Sequence, residues 1–161
     1  MPSSTDREDL VVDTNVWAHA DNPQEVRQAA SVALVAALLQ STTEVAVDTG
    51  FSLNEASNRS QIGSEYIRYL AACPLASAAL TELAIAGRVR MVDTKVPDKV
   101  RRVINTVVGD KSDRVFAKVT HNTRSQTLCS HDYKHLPLAA RAKLGLVGIS
   151  VVSAAECLGR D

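Results

Sequence analysis

Aromatic residues make up only 4% of this chain, so its core has to be assembled from Val, Leu, Ile and Ala rather than from large rings. Cysteine is scarce as well. Cys73, Cys129 and Cys157 are odd in number, far apart and without a CxxC pair, which argues against a disulfide framework and against structural zinc. Reduced thiols in a cytosol fit that usage best. No long apolar run is present either. The longest, Ala29 to Leu39, contains Ser31 and is far too short to span a bilayer. The first residues, Met1 to Arg7, are polar and lack the apolar stretch of a signal peptide. A soluble, cytoplasmic protein with no membrane attachment is the expectation. Also missing are a G-x-S-x-G elbow, a G-x-G-x-x-G turn and a Walker loop, which leaves serine-hydrolase and nucleotide-cradling chemistry without their usual sequence elements.

What is present is an ordinary globular composition, 45% hydrophobic and 22% charged, over 161 residues, enough for one sizeable core. Residues 1–8 are expected to be a mobile N-terminus and 9–161 a single domain. Net charge is zero but unevenly spread. Met1 to Asp48 carries 8 acidic and 2 basic residues, whereas Arg88 to Lys118 carries 9 basic and 4 acidic. A local basic region can contact phosphates even where global charge gives no steering, although solvated helix faces look the same in sequence.

Apolar patterning predicts an alternation of strands and helices. Leu10-Val11-Val12 reads as a buried strand, Glu44 to Val47 as a second, Arg88 to Val92 as a half-buried third, Thr127 to Ser130 as a fourth and Val147 to Val152 as a last. Between them, helical spacing covers Gln24 to Leu39, a segment through Phe51, Leu53, Ala56 and Ser57, Tyr66 to Ala72, Leu75 to Ala86, Asp98 to Val108, Ser112 to His121 and Leu138 to Leu144. Strands alternating with helices imply a mostly parallel sheet in a three-layer α/β/α arrangement.

The carboxylates Asp13, Glu55, Asp113 and Asp132 each stand where an apolar run ends or a helix is expected to begin. In an open α/β sheet the crevice beyond the carboxyl ends of the strands is where ligands bind. Carboxylates gathered there repel one another unless a cation sits among them, and oxygen donors suit magnesium or manganese. Each residue also has a plainer role open to it. Asp13 can cap a helix, Ser52-Leu53-Asn54-Glu55 matches the capping box S-x-x-E, Asp113 can favour a helix N-terminus, and Asp132 can be a turn residue. Cys129, Ser130 and His131 are adjacent, but neighbours on a strand point to opposite faces, so they form no triad among themselves. His131 and His135 read as surface residues or substrate contacts.

The order of these elements resembles the PIN domain, a fold of metal-dependent ribonucleases. The resemblance rests on Val11-Val12-Asp13-Thr14-Asn15-Val16, on Asn54-Glu55-Ala56, on the stretch Gly109 to Ala117 with Asp110 and Asp113, on Leu128-Cys129-Ser130-His131-Asp132, and on Ile149 to Ser153. It spans Leu10 to about Leu158. It implies an acidic metal site of Asp13, Glu55, Asp113 and Asp132, with Asp110 as a further candidate ligand and Asp48 as a rival of Glu55. Asn15 and Ser130 are its expected supports, and Lys111, Arg114 and Lys118 are candidates to hold the substrate backbone. Mg2+ or Mn2+ is the implied cofactor, as one tightly held ion or as two, and RNA the implied substrate. Some members of that family are toxins of toxin–antitoxin pairs, so a cognate antitoxin and a homodimer are further implied partners. Competing readings are a non-catalytic RNA-binding or regulatory module of the same fold and a haloacid-dehalogenase-type phosphatase. The latter wants a second aspartate two positions after the first, where this chain has Asn15.

Overall fold

The computed structural model describes residues 7–159. Its five strands are β1 (Asp9–Val12), β2 (Glu44–Asp48), β3 (Val89–Val92), β4 (Thr127–Cys129) and β5 (Ser150–Val152). They pair in parallel throughout, in the order β3-β2-β1-β4-β5. Leu10, Val11 and Val12 are fully buried on both sides of β1, and Val45, Ala46 and Val47 likewise on β2, as central strands of a covered parallel sheet require.

The helices are α1 (Thr14–Ala20), α2 (Gln28–Gln40), α3 (Gln61–Leu70), α4 (Pro74–Ile85), α5 (Asp98–Val107), α6 (Lys111–His121), α7 (Leu138–Gly145) and α8 (Ala154–Cys157). The chain first steps outward from β1 to β2 to β3, then returns to the other side of β1 with β4 and β5. Right-handed crossovers in opposite directions place successive helices on opposite faces. Accordingly α1 to α4 and α8 pack together as one layer, and α5, α6 and α7 as the other. The α/β sandwich expected from the alternation is the observed fold. The strand order reverses between β1 and β4, which makes their carboxyl ends the crevice of the sheet.

Several segments differ from the patterning, among them the start of α2 and the stretch between β2 and α3. Helix α2 begins at Gln28 rather than Gln24, because the preceding turn is closed by Asn22 and Glu25, whose side chains accept the N–H groups of Gln24 at 3.0 Å and Arg27 at 3.3 Å. Val26 is left exposed. The segment through Phe51 to Ser57 is not a helix but a loop held by side chains. Ser52 Oγ accepts Asn54 N–H at 3.1 Å, Asn54 Oδ1 accepts Ala56 N–H at 3.0 Å, and buried Asn58 accepts Ser52 N–H at 3.1 Å. The helix starts only at Ser60, whose hydroxyl accepts Gly63 N–H at 2.8 Å, so α3 runs ahead of the expected Tyr66 start. A Cβ on Gly63 would meet Asn58 Oδ1 at 2.2 Å, so the loop folds this tightly onto α3 only because that residue is glycine.

Of the N-terminus expected to be mobile, residues 1–6 lie outside the described residues. Arg7 donates to Cys157 O at 2.8 Å, and Glu8 O accepts Glu44 N–H at 2.9 Å. All three cysteines are free thiols, with Cys129 and Cys157 buried. No helix among the described residues is long and apolar enough to cross a membrane.

Candidate metal centre

Asp13 follows β1 directly and stands at the N-cap of α1, yet its side chain makes no capping hydrogen bond. It is 5% exposed and is held from the neighbouring strand instead. Ser130 Oγ donates to Asp13 Oδ2 at 2.8 Å, and Asn15 Nδ2 donates to the same oxygen at 3.1 Å. Both supports also grip the segment after β4. Ser130 Oγ accepts Asp132 N–H at 3.1 Å, and Asn15 Oδ1 accepts His131 N–H at 2.9 Å. The carboxyl ends of β1 and β4 are thus stitched together by side chains, and the side-chain bonds on Oδ2 leave Asp13 Oδ1 without one.

Around this pair the structure brings Asp113, from the first turn of α6, and Glu65, from α3. Asp13, Glu65 and Asp113 each offer a carboxylate oxygen, and these oxygens lie within 4.8 Å of one another. Asp113, Asp132 and His135 form a second such group within the same limit. A cavity lined by Gln61, Glu65, Arg68, Asp113, Asp132 and His135, among others, opens over them.

Glu55 does not join either group. It is exposed in the loop before α3, because the Ser52 hydroxyl that suggested a capping box serves a local turn instead. The glutamate that does join is Glu65, in the middle of α3. A signal for it exists in the sequence: Ile62, Tyr66 and Leu70 recur at helical spacing and are all buried, so Glu65 precedes a residue of the core stripe. Tyr66 donates its hydroxyl to Val12 O, which fixes α3 against β1 one residue from each carboxylate.

Asp48 joins neither group. It accepts from Ser60 Oγ, from Gln61 N–H at 2.8 Å and from Ile62 N–H at 3.1 Å, so it caps α3. Asp110 is likewise a cap, accepting Ser112 N–H at 2.8 Å and Ser112 Oγ at 2.6 Å at the start of α6. Of the expected substrate-binding residues, Lys111 is exposed on the cavity wall. Arg114 is not free in the same way. Its guanidinium donates to Val108 O at 2.8 Å, Asn105 O at 3.3 Å and Gly109 O at 3.5 Å, closing the end of α5. Lys118 does not line the cavity. Sequence reasoning overlooked Arg68 and Tyr69, which do; the Arg68 guanidinium stands 5.2 Å from the centre of the Tyr69 ring.

His131 is buried rather than a surface residue. Its Nε2 accepts Ala154 N–H at 3.0 Å, and its Nδ1 lies 2.9 Å from Nδ1 of His19. One ring must donate there, and burial together with the facing His19 lowers the pKa of His131 to about 4.

The electrostatics match the crowding. Burial, then the Asp13 charge, pushes Glu65 up to about 7, and burial followed by Asp13, Asp110 and Asp132 pushes Asp113 to about 7. Burial also raises Asp13, against the hydrogen bond from Ser130. Burial pushes Asp132 upward too, but the backbone and ring of His135 outweigh it and hold that carboxyl below its ordinary range. The hydroxyl of Thr14 is buried without a hydrogen-bond partner of good geometry, and it lies toward Glu65, whose ionised form it favours. Together the residues form an acidic crevice that could hold a metal.

No protein-family model, no curated protein and no solved structure matches the chain.

Proposed function

We propose that this chain is a metal-dependent endoribonuclease of the PIN type that hydrolyses phosphodiester bonds of RNA. The observation that carries the reading is the meeting of Asp13, Glu65 and Asp113, from three separate elements, within 4.8 Å at the point where the strand order reverses. Three carboxylates at that separation, with two of them raised to about 7, are poorly matched to one another without a cation. The donors are oxygens only, which suits Mg2+ or Mn2+.

When bound, such an ion supplies water activation and charge stabilisation on the phosphate. The chain's own residues do the rest. Ser130 and Asn15 fix Asp13 through Oδ2, and the Asp48 cap and the Tyr66 hydroxyl fix the helix that presents Glu65. Lys111 and Arg68 on the cavity wall are placed to hold phosphates, contacts that position a strand without specifying its sequence. Half-exposed Tyr69 beside them offers a ring on which a base can stack. Asn15 speaks against phosphatase chemistry of the haloacid-dehalogenase kind. It is an amide already donating to Asp13, not an acid able to give or take a proton.

RNA, a role as a toxin with a cognate antitoxin, and a homodimer all rest on the resemblance to the PIN family. Incubation of a mixed RNA pool with Mn2+ or Mg2+ tests the reading, with chelator and Asp13→Asn as controls. Cleavage that needs metal and Asp13 is the expected result. Metal binding without any cleavage would point to a non-catalytic RNA-binding or regulatory module, and equal cleavage by the variant would refute the site.

A further inference from the structure

Helix α5 carries two stripes rather than one. Val100 and Ile104 are buried and turn into the core. Beside them Lys99, Arg102, Val103, Thr106 and Val107 recur at helical spacing and form one wall of an open groove of about 460 Å³. Lys143, Leu146 and Val147, from the end of α7 and the turn after it, form the other wall. Val103, Val107 and Val147 are half-buried and give the groove an apolar lining, and Leu146 beside them is 87% exposed.

A single exposed leucine needs no explanation. Here it joins three further apolar side chains in a concave site, and the charges around them are of one sign. Lys99, Arg102 and Lys143 line the groove, and no carboxylate does. None of these three side chains makes an ion pair or a hydrogen bond among the described residues, whereas neighbouring Arg101 is paired with Asp98 at 3.0 Å. The helix dipole favours Lys143 in the last turn of α7. It does the opposite for Lys99, which stands in the first turn of α5, where the acid of that turn, Asp98, is already committed to Arg101. The groove therefore lacks both a carboxylate for its cations and a cover for its apolar lining.

We propose that this groove is a docking surface for an acidic amphipathic peptide segment of a partner protein. Apolar side chains of that segment lie against Val103, Val107 and Leu146, and its carboxylates meet Lys99, Arg102 and Lys143. The stripe from Lys99 to Val107 covers about 12 Å of helix, which suits a length of chain rather than a compact ligand. RNA phosphates would satisfy the cations but leave Leu146 and the valines uncovered. A second copy of this chain matches poorly, because several of its own acids are engaged elsewhere. Glu8 is paired with Arg124, Asp9 and Glu44 with Arg90, and Asp21 accepts the N–H groups of Leu75 and Ala76 at the start of α4. The groove shares no residue with the acidic cavity, and Val147 precedes β5 whereas the crevice lies at the carboxyl ends of β1 and β4. Docking of such a segment does not depend on a metal in the crevice.

The test is selection of random peptides displayed on phage against the full-length protein, with the enriched sequences synthesised and titrated by fluorescence anisotropy. Enriched peptides should carry Asp or Glu beside apolar residues spaced three or four positions apart. Their binding should weaken with salt. It should also weaken by about tenfold or more in Leu146→Asp and in Arg102→Glu, and hold in Lys134→Glu, an equal change of charge at another exposed position. Leu146 and Arg102 are exposed, and circular dichroism checks that both variants fold. No enrichment, enriched peptides without acidic residues, or binding that either groove variant leaves unchanged overturns the inference. Displacement of the peptide by single-stranded oligouridine overturns it too and assigns the groove to RNA.

Discussion

Asp48 accepts the backbone N–H of Gln61 at 2.8 Å, so a buried carboxylate at the end of β2 anchors the first turn of the helix that presents Glu65. Its other bonds, to Ser60 Oγ and to Ile62 N–H, complete a cap made by a residue 12 or more positions away in sequence. Asp48→Ala leaves those donors buried and unmatched. A loss of about 1–2 kcal/mol follows, at the upper end for a helix cap. Urea unfolding at neutral pH measures it, and an unchanged midpoint would refute the capping role. Metal affinity should fall as well, because Glu65 is no longer held.

Acidity and stability are linked at the crevice in a definite direction. Glu65 and Asp113 have folded-state values of about 7, above those of free carboxyls, so the folded protein binds their protons more tightly than the unfolded chain does. Their contribution is fully present below the unfolded values and is lost as pH rises through about 7. In chelator, the melting temperature attributable to this site is therefore expected to fall between about pH 4.5 and 7.5 and then level off. Mn2+ at about 100 times its dissociation constant should add about 2.7 kcal/mol at pH 7.5 and much less at pH 5, where protons compete. A thermal series with and without metal at each pH checks both arms.

Much of this was legible in the sequence, and the losses share one cause. Strands β1, β2 and β4 were evident because Val, Leu and Ala runs need burial on both faces, and Asp13, Asp113 and Asp132 could be placed from where those runs and α6 begin or end. The apolar spacing of Phe51, Leu53 and Ala56 suggests a helix after β2, but Ser52, Asn54 and Asn58 bond to nearby backbone and hold the segment as a loop. Glu55 was expected from the resemblance at Asn54-Glu55-Ala56, whereas the carboxylate that meets Asp13 and Asp113 is Glu65. The role of Asp48 and the fixation of Arg114 depend on contacts across the fold, which local pattern does not carry.

Glu65→Gln and Glu55→Gln separate the two glutamates. Removal of Glu65 should lower metal-dependent RNA cleavage by roughly 100-fold or more, the scale for losing one group that governs transition-state charge. Glu55→Gln, on an exposed loop, should cleave as the parent does. In chelator Glu65→Gln should melt no lower than the parent, since it relieves repulsion among Asp13, Glu65 and Asp113. Inverted activities would return the metal site to Glu55.

Lys111 and Arg114 are three residues apart on one helix, yet should fail differently. Lys111→Ala is expected to weaken RNA binding across sequences and to lower the salt slope of binding by about 0.7, as one lost phosphate contact on a single strand does. Arg114→Ala removes three carbonyl contacts at the end of α5 and should instead lower stability by about 1–3 kcal/mol. Filter binding at several salt concentrations and urea unfolding distinguish them. Equal salt slopes for the two variants would contradict this division.

Helices α3 and α6 belong to opposite layers, and they come together where Glu65 and Asp113 meet. An ion there would act as a removable cross-link between the two helical layers. It would also tie Asp13 to a partner about 100 residues further along, and clips that close long loops restrict the chain most. Chelation would then do more than empty a pocket. It would loosen the seam between layers, so backbone amides of α3 and α6 far from any ligand atom would exchange faster with solvent.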